Sequence, residues 1–426
     1  MKTRMVVVWM LAAVFFLSLS VGAPARAAEK PIVIGAPLAT AFLYGWTAER
    51  AARLAVEEIN AQGGVKVGNV KRPFAVEVMD TRDLEPGVPV SDALLTVEKL
   101  ILEKKADFII GGPVRSEGAL AAMDLLSKYK KVSILTTGAL TPAYSTRVAE
   151  NYDKYKYCFR ISGESKWLVI GEIIPSLLDV GKKFKLNKLF IMVQDVAHAR
   201  AGGELIAKNM AEKGWTVLGK PEIYPTGTTD FSMGLLKAKK EGAQVILIWM
   251  DMPETSILLK QWYDLKIPAL PYGSINAAVE QPGFFKASEG KGEYSIANVV
   301  NAGNVPSKAT PLTMKFYDAY TKRWKVEPEG YGASSSYQAV YTLKDAIERA
   351  GSLDSEAVVK ALEKTDMVGV YGRIRFDPKS HQVIPSVDPK EGAVGSIFQW
   401  QKGKRVVVFP DSIEGGDIVL PPWMQK

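Results

Sequence analysis

The chain reads as an α/β protein with two lobes, each a parallel central sheet with helices on both faces. Three observations point there. Short runs rich in Val, Ile and Phe recur roughly every 25–40 residues and alternate with stretches of helical apolar spacing. This strand–helix rhythm runs twice, with a break near residues 158–165. A single sheet holding every run would need about 8–10 strands, near the size at which open twisted sheets stop growing.

In chain order, Lys2 and Arg4 precede an apolar run from Met5 to Val21. Ala25-Arg26-Ala27 then supplies small residues. That is the layout of a cleaved signal peptide over residues 1–27, so the mature chain is expected in the periplasm. The alternative is an uncleaved anchor, but the run is short for a span. Strands are expected at residues 31–35, 74–79, 108–110 and 132–135, and again at 188–193, 216–218 and 244–249. Residues 46–62 carry apolar side chains at Ala48, Ala51, Ala52, Ala55, Val56 and Ile59 and stop at Gly63-Gly64, which predicts a helix. Residues 90–104, 118–128, 202–213 and 231–240 show the same spacing. Past Asn298 come helical patterns at 311–325, 335–349 and 355–363, then hairpin-like strands at 373–376, 396–400 and 405–409.

Composition excludes several classes. The formal charge of +8 falls to +5 once Lys2, Arg4 and Arg26 leave with the signal peptide, and no basic run is interleaved with aromatics. A nucleic-acid partner is therefore not expected. The single cysteine, Cys158, rules out an intramolecular disulfide and reads as a small buried apolar residue. Two histidines and one cysteine make a poor zinc set. No H-E-x-x-H, G-x-S-x-G, G-x-x-x-x-G-K-[ST] or G-x-G-x-x-G pattern is present. No cofactor and no catalytic residue are expected, and the chain is expected not to be an enzyme.

Ligands of parallel sheets sit beyond the carboxyl ends of the strands. The loops to watch are therefore 39–46, 111–116, 136–141, 195–200, 251–254 and 272–276. "DFIIGGPVRSEGALAAM" (107–123) passes from a strand through Gly111-Gly112 into a helix. Helix N-termini of this kind attract anions. The missing dinucleotide spacing points to a small organic anion. Arg115 is either a ligand contact or a loop arginine paired with Glu117. Ser116 reads as a helix N-cap before a ligand contact, with both roles open to it. Trp46, Trp167 and Trp249 flank these loops as candidate apolar walls.

Six segments stand in order at matching spacing: "PIVIGAPLATAFLYGW", "AVEEINAQGGV", "DFIIGGPVRSEGAL", "SILTTGALTPAYS", "YCFRIS" and "YPTGTTDFSMGLLKAKKEGAQVILI". Together they resemble the periplasmic leucine/isoleucine/valine-binding proteins, type I solute receptors of ABC importers. The resemblance implies two Rossmann-like lobes joined by three crossovers near 159–162, 297–300 and 373–377. One lobe is then 30–159 plus 300–374 and the other 160–298 plus 376–420. It also implies a small-molecule solute and an inner-membrane ABC permease as partners, with the receptor monomeric. Matching the motifs places Arg115, with Ser116 beside it, where the family binds the ligand carboxylate. Gly138 and Leu140 fall in the next such loop, with Thr136, Thr137, Ala139 and Thr141 nearby. Leu140 replaces the family's threonine. Tyr44 matches a first-loop tyrosine, and His198 stands where the second lobe places one. Ile275, between Ser274 and Asn276, occupies the place of the acid that pairs with a ligand ammonium; Asp251 is a substitute.

With an arginine added and that acid missing, a carboxylate without an α-amino group is expected to bind better than leucine, isoleucine or valine. The alternatives are a ligand-sensing receptor for a membrane signalling partner and, more remotely, a hydrolase on the same scaffold.

Overall fold

The computed structural model describes residues 29–274, 276–413 and 415–425. The expected signal peptide and Ile275 lie outside the described residues. The first sheet contains β1 (Ile32–Leu38), β2 (Phe74–Asp80), β3 (Phe108–Ile110), β4 (Ser133–Leu135) and β5 (Cys158–Arg160). Its order is β2-β1-β3-β4-β5 and every pairing is parallel. The period-two alternation of side chains gives this sheet two buried faces. Ile34, Phe108, Ile110 and Ile134 join one core with Ala51, Ala55 and Ile59 of helix α1 (Leu43–Ala61). Ile109, Leu135 and Cys158 face the other way, onto Ala119, Ala122 and Met123 of helix α2 (Ser116–Lys128). Cys158 is fully buried, and burial pushes its thiol up to about 12.

The second sheet contains β6 (Lys188–Gln194), β7 (Glu222–Tyr224), β8 (Val245–Trp249), β9 (Leu270–Ser274), β10 (Ile296–Val299), β11 (Ser396–Gln401) and β12 (Lys404–Phe409). Their order is β7-β6-β8-β9-β10-β11-β12, with the two-residue strand Thr216–Val217 beside β6. The five strands from β7 to β10 are parallel, and β11 and β12 add antiparallel. After β10 the chain returns to the first sheet's side. There helix α4 (Gly332–Ala350) packs along α1, and the short helix α3 (Ala277–Glu280) stays with the second sheet. Tyr337 and Tyr341 of α4 both donate to Glu58 of α1.

The connection after β5 differs from expectation. Residues Ser165–Trp167, Leu168–Ile173 and Ile174–Phe184 form one continuous helix whose middle is a π segment. Leu168–Ile173 is apolar but for Glu172, whereas Ile174–Phe184 buries Ile174, Leu177, Val180 and Gly181 on one face and exposes Asp179, Lys182 and Lys183. Glu172 lies in that π segment, 2 % exposed. Its carboxyl accepts from Trp167 Nε1 at 3.1 Å and also meets Asn298 and the Gly395 backbone. These belong to all three segments that run between the sheets. Burial holds the Glu172 carboxyl well above the usual range.

Arg160, fully buried at the end of β5, ties these segments to a cleft loop. It donates to the carbonyl of Thr141 at 2.8 Å and to Glu164 Oε2 at 2.8 Å, and it also bonds Gln382. Gln382 in turn donates to the Ser162 carbonyl. Residues 376–395 therefore pair back toward Arg160 and Gly372, and the chain rejoins the second sheet only at Ser396.

Candidate functional site

The turn after β3 is already occupied. Arg115 is the N-cap of α2, and its backbone N–H donates to Asp83 Oδ2 at 2.7 Å. Thr81 Oγ1 donates to Asp83 Oδ1 at 2.5 Å, and Asp83 is buried. The partial positive charge of the helix end thus holds an anion supplied by the chain itself. The Arg115 guanidinium donates to the carbonyls of Glu85 at 3.3 Å and Val88 at 3.5 Å. The Arg115 guanidinium thus braces the 85–88 loop. Ser116 is the first helical residue, and the cap position makes no side-chain bond.

The 136–141 loop is also largely committed. Thr136 Oγ1 lies 2.7 Å from Ser336 Oγ, and Thr137 Oγ1 donates to the Gly112 carbonyl at 3.2 Å. Both threonines are fully buried and join β4 to α4 and to the β3 turn. They act on the loop's shape. Gly138 has φ 65°, and a Cβ there would stand 2.3 Å from Val114 Cα, so only glycine fits. Ala139 also has positive φ, 42°, and its N–H donates to the Val114 carbonyl at 2.9 Å. The Gly138 backbone of this loop is hydrogen-bonded to Tyr331.

Tyr331 precedes α4 and packs on Tyr44 of α1, with ring centroids 4.0 Å apart; Phe42 meets Tyr44 edge-on at 5.3 Å. Tyr44 and Tyr331 are both buried and share an apolar cluster with Trp249 of β8. Leu140 and Trp46 pack against that cluster, and the Trp46 indole N–H donates to Glu329 Oε1 at 3.1 Å. From the second lobe, Trp249 lies so close over Gly202 that a Cβ there would come 2.0 Å from its ring. His198, about half exposed, has Nε2 3.4 Å from Asp251 Oδ2, and its ring is 6.4 Å from Trp249. The Asp251 backbone N–H donates to Gln194 Oε1, fixing the loop after β8. Ser274 ends β9, fully buried.

Five polar atoms here are buried without a hydrogen-bond partner among the described residues. They are Tyr44 Oη, Trp249 Nε1, Ser274 Oγ, Asn276 Nδ2 and Glu280 Oε2. Each costs free energy while unpaired, about 1–3 kcal/mol for a typical group. They come from α1, from the ends of β8 and β9 and from the short helix α3, and other such atoms lie elsewhere in the molecule.

Glu280 and Tyr331 are the residues that sequence reasoning missed. Glu280 ends α3 and is 2 % exposed. Its carboxyl accepts a backbone bond from Asn276, and its field reaches Tyr44, Tyr331 and Asp251. Burial pushes it up to about 8, against the pull of Arg405. An acid in the apolar run Ala277-Ala278-Val279-Glu280, just past a watched loop, was the available signal. Tyr331 had one too, an aromatic between Gly330 and Gly332 before a helix. Glu280 adds a buried acid near Asn276, and the Arg115 guanidinium bonds loop carbonyls.

Residues 39–402 match the sequence profile of a family described as periplasmic binding protein. The chain belongs to the periplasmic binding protein family. Among curated members of this periplasmic binding protein family, Leu/Ile/Val-binding protein homolog 7 of Brucella suis is 25% identical over 381 residues, covering 89% of this chain and 90% of that one. A Silicibacter pomeroyi structure assigned to branched-chain amino acid ABC transport superposes with a TM-score of 0.81 at 20% identity, covering 93% of this chain and 100% of that one. The LivJ substrate-binding protein of Streptococcus pneumoniae, solved with isoleucine, gives 0.70 at 22% identity, with 89% and 100% covered. The periplasmic binding protein fold of two α/β lobes is thus shared across the whole described chain. The Streptococcus pneumoniae protein is a branched-chain amino acid transporter substrate-binding protein, and this chain shares its fold. Among the described residues, no helix is long and apolar enough to cross a membrane, and no cluster of three or more His, Cys, Asp or Glu could hold a metal.

Proposed function

We propose that the protein is exported to the periplasm as a monomer, binds a small amino-acid-like solute between its lobes and delivers it to an inner-membrane ABC permease without chemical change. The lobes in this reading are 30–159 plus 300–374 and 160–298 plus 376–420, with 376–395 serving as a connecting strap. The observation that carries the ligand class is the group of buried unpaired atoms. Tyr44 Oη, Trp249 Nε1, Ser274 Oγ and Asn276 Nδ2 can donate to a carboxylate, and Glu280 Oε2 can accept from an ammonium. The Tyr44, Tyr331 and Trp249 rings offer an apolar wall and π faces beside the cation. A zwitterion suits this set because both of its charges meet a partner, and an ion buried unpaired is costly.

The test is a thermal-shift screen of the twenty standard L-amino acids and their 2-deamino acids, followed by calorimetry on those that bind. Tight binding of at least one amino acid, with its deamino analogue much weaker, supports the reading. Simple carboxylates binding better than every amino acid would return the ligand class to organic acids, and turnover of recovered solute would revive an enzyme.

A further inference from the structure

Three stretches of chain pass between the two sheets: the helix of residues 165–184 after β5, the segment that leaves β10 at Val299, and residues 376–395 ahead of β11. They are bonded to one another at both ends. Toward the first sheet, Tyr371, just ahead of the third stretch, donates from Oη to the Ile161 carbonyl at 2.9 Å, and Gln382 Nε2 donates to the Ser162 carbonyl at 2.8 Å. Midway, the Ala302 N–H donates to the Val394 carbonyl at 2.9 Å, and a Cβ on Gly163 would stand 3.1 Å from Val300. Toward the second sheet, the Glu172 carboxyl of the first stretch meets the other two. Its Oε1 accepts from Trp167 Nε1 at 3.1 Å, and the carboxyl also bonds the Asn298 side chain and the Gly395 backbone. Asn298 and Gly395 stand where β10 ends and β11 begins, since Val299 pairs with Ser396. The carboxyl rests directly on Gly395, where a Cβ would come 2.3 Å from Oε1 and 2.6 Å from Oε2. The π segment Leu168–Ile173 makes this possible. Side chains five apart on an α-helix point about 140° away from each other, whereas the i→i+5 pattern of a π turn brings them to one side. Trp167 and Glu172 are five apart across that segment, and the Trp167 ring lies against Gly171, where a Cβ would come 2.6 Å from it. An acid among the buried Leu168, Val169 and Ile173 is costly for folding alone.

We propose that the Glu172 carboxyl is the positioning group of the hinge: it clasps the three connections where they meet the second sheet and so fixes the angle at which that lobe stands to the first. This rests on the hinged-receptor reading above, though not on which solute is bound. Hinges absorb their motion in a few loop or element-terminal residues. Arg160, Gln382 and Tyr371 tie the connections together at the first sheet, and Glu172 ties them at the second, so the span that bends lies between the two ties. Without the carboxyl, the Trp167 indole N–H and the Gly395 N–H lose their partner inside the fold. The ends of β10 and β11 are then free to shift against the helix of residues 165–184, and the second lobe samples a wider range of angles. Leucine in place of Glu172 fills a similar volume, so it keeps the packing and removes the clasp.

The experiment is pulsed electron paramagnetic resonance on solute-free protein carrying spin labels at Glu103→Cys and Lys213→Cys. Both positions are exposed, one in each lobe, and Cys158 is fully buried and takes no label. The parent is expected to give one narrow interlobe distance. Glu172→Leu is expected to raise the share of distances outside that peak about tenfold, the factor that one lost hydrogen bond to an acid makes in an equilibrium. Melting is read on the same samples. A side chain that only filled the core would lower the melting temperature and leave the distances alone. That outcome in a folded Glu172→Leu, or a parent distribution already as broad as the variant's, overturns the inference. If Glu172→Leu does not fold, Gly395→Ala decides, because its Cβ displaces the carboxyl from the backbone it rests on; a widened distribution supports the clasp and an unchanged one overturns it. The hinged receptor is tested separately in the parent, with the standard L-amino acid that most raises the melting temperature in a screen of all twenty. A bound amino acid that leaves the parent's interlobe distance unchanged overturns the hinge itself, and a screen in which none binds overturns the ligand class while leaving the solute-free result standing.

Discussion

Replacing Glu280 by Gln should stabilise the ligand-free protein at neutral pH, and by an amount that grows with pH in a defined window. The folded-state carboxyl is raised to about 8 from an ordinary value of 4.5, with burial the main cause. The raised value means that between these limits the folded protein keeps a proton that the unfolded chain has released. Stability therefore falls as pH rises from about 4.5 to about 8 and is level on either side. Each unit is worth about 1.4 kcal/mol, so Glu280 costs the parent about 3 kcal/mol at pH 7 and about 5 kcal/mol at pH 8 or above, relative to its protonated state. Glutamine has nearly the same shape and does not titrate. Denaturant unfolding of ligand-stripped parent and variant at pH 5, 6, 7 and 8 isolates the effect, because every other titrating group cancels in the difference. The variant should gain on the parent at each step up to pH 8. Parallel curves over the whole range would mean that Glu280 is already charged in the empty site, and the account of a buried, unpaired acid would be refuted.

Tyr44→Phe removes an unpaired buried hydroxyl, so the empty protein should be unchanged or up to about 1 kcal/mol more stable while amino-acid affinity drops about tenfold; melting and calorimetry on one preparation read the opposite signs, and a parallel loss of both would refute the ligand role. Arg115→Ala should leave affinity within about twofold but cost about 1–2 kcal/mol of stability through the lost loop bonds, and a large affinity loss with unchanged melting would restore Arg115 to the ligand. Asp83→Ala should lower stability by about 0.5–2 kcal/mol, as for other lost helix caps, visible as a reduced denaturant midpoint. Small-angle scattering with a saturating, bound amino acid should give a smaller radius of gyration than without, since lobes on three connections are expected to close on their solute; an unchanged radius would argue against a hinged receptor.

The parallel lobes were legible because buried strands leave a continuous apolar signature and helices a periodic one, both local in sequence. Ile109 and Leu135 facing one way and Ile34 and Ile110 the other follow from the alternation alone. In residues 165–184 only Ile174–Phe184 carries a one-face apolar stripe, and the π segment ahead of it does not extend that period. The loops at the strand ends were likewise legible, since parallel topology dictates at which ends of the strands the loops cluster. Side-chain allegiance was not. Arg115 and Asp83 are 32 residues apart, and only the folded loop 81–89 shows that each already has its partners inside the protein. Thr136 and Ser336 meet across 200 residues. Glu280 sits five residues past the position where the resemblance called for an acid. Whether a carboxyl there is exposed or buried depends on how α3 packs against helix Thr255–Asp264 and β10, which no local pattern encodes. The sequence by itself determined the lobes, their order and the ring of loops. The tertiary structure decided which polar groups in that ring have partners within the protein and which are buried without one, because desolvation and pairing depend on contacts between residues far apart in the chain.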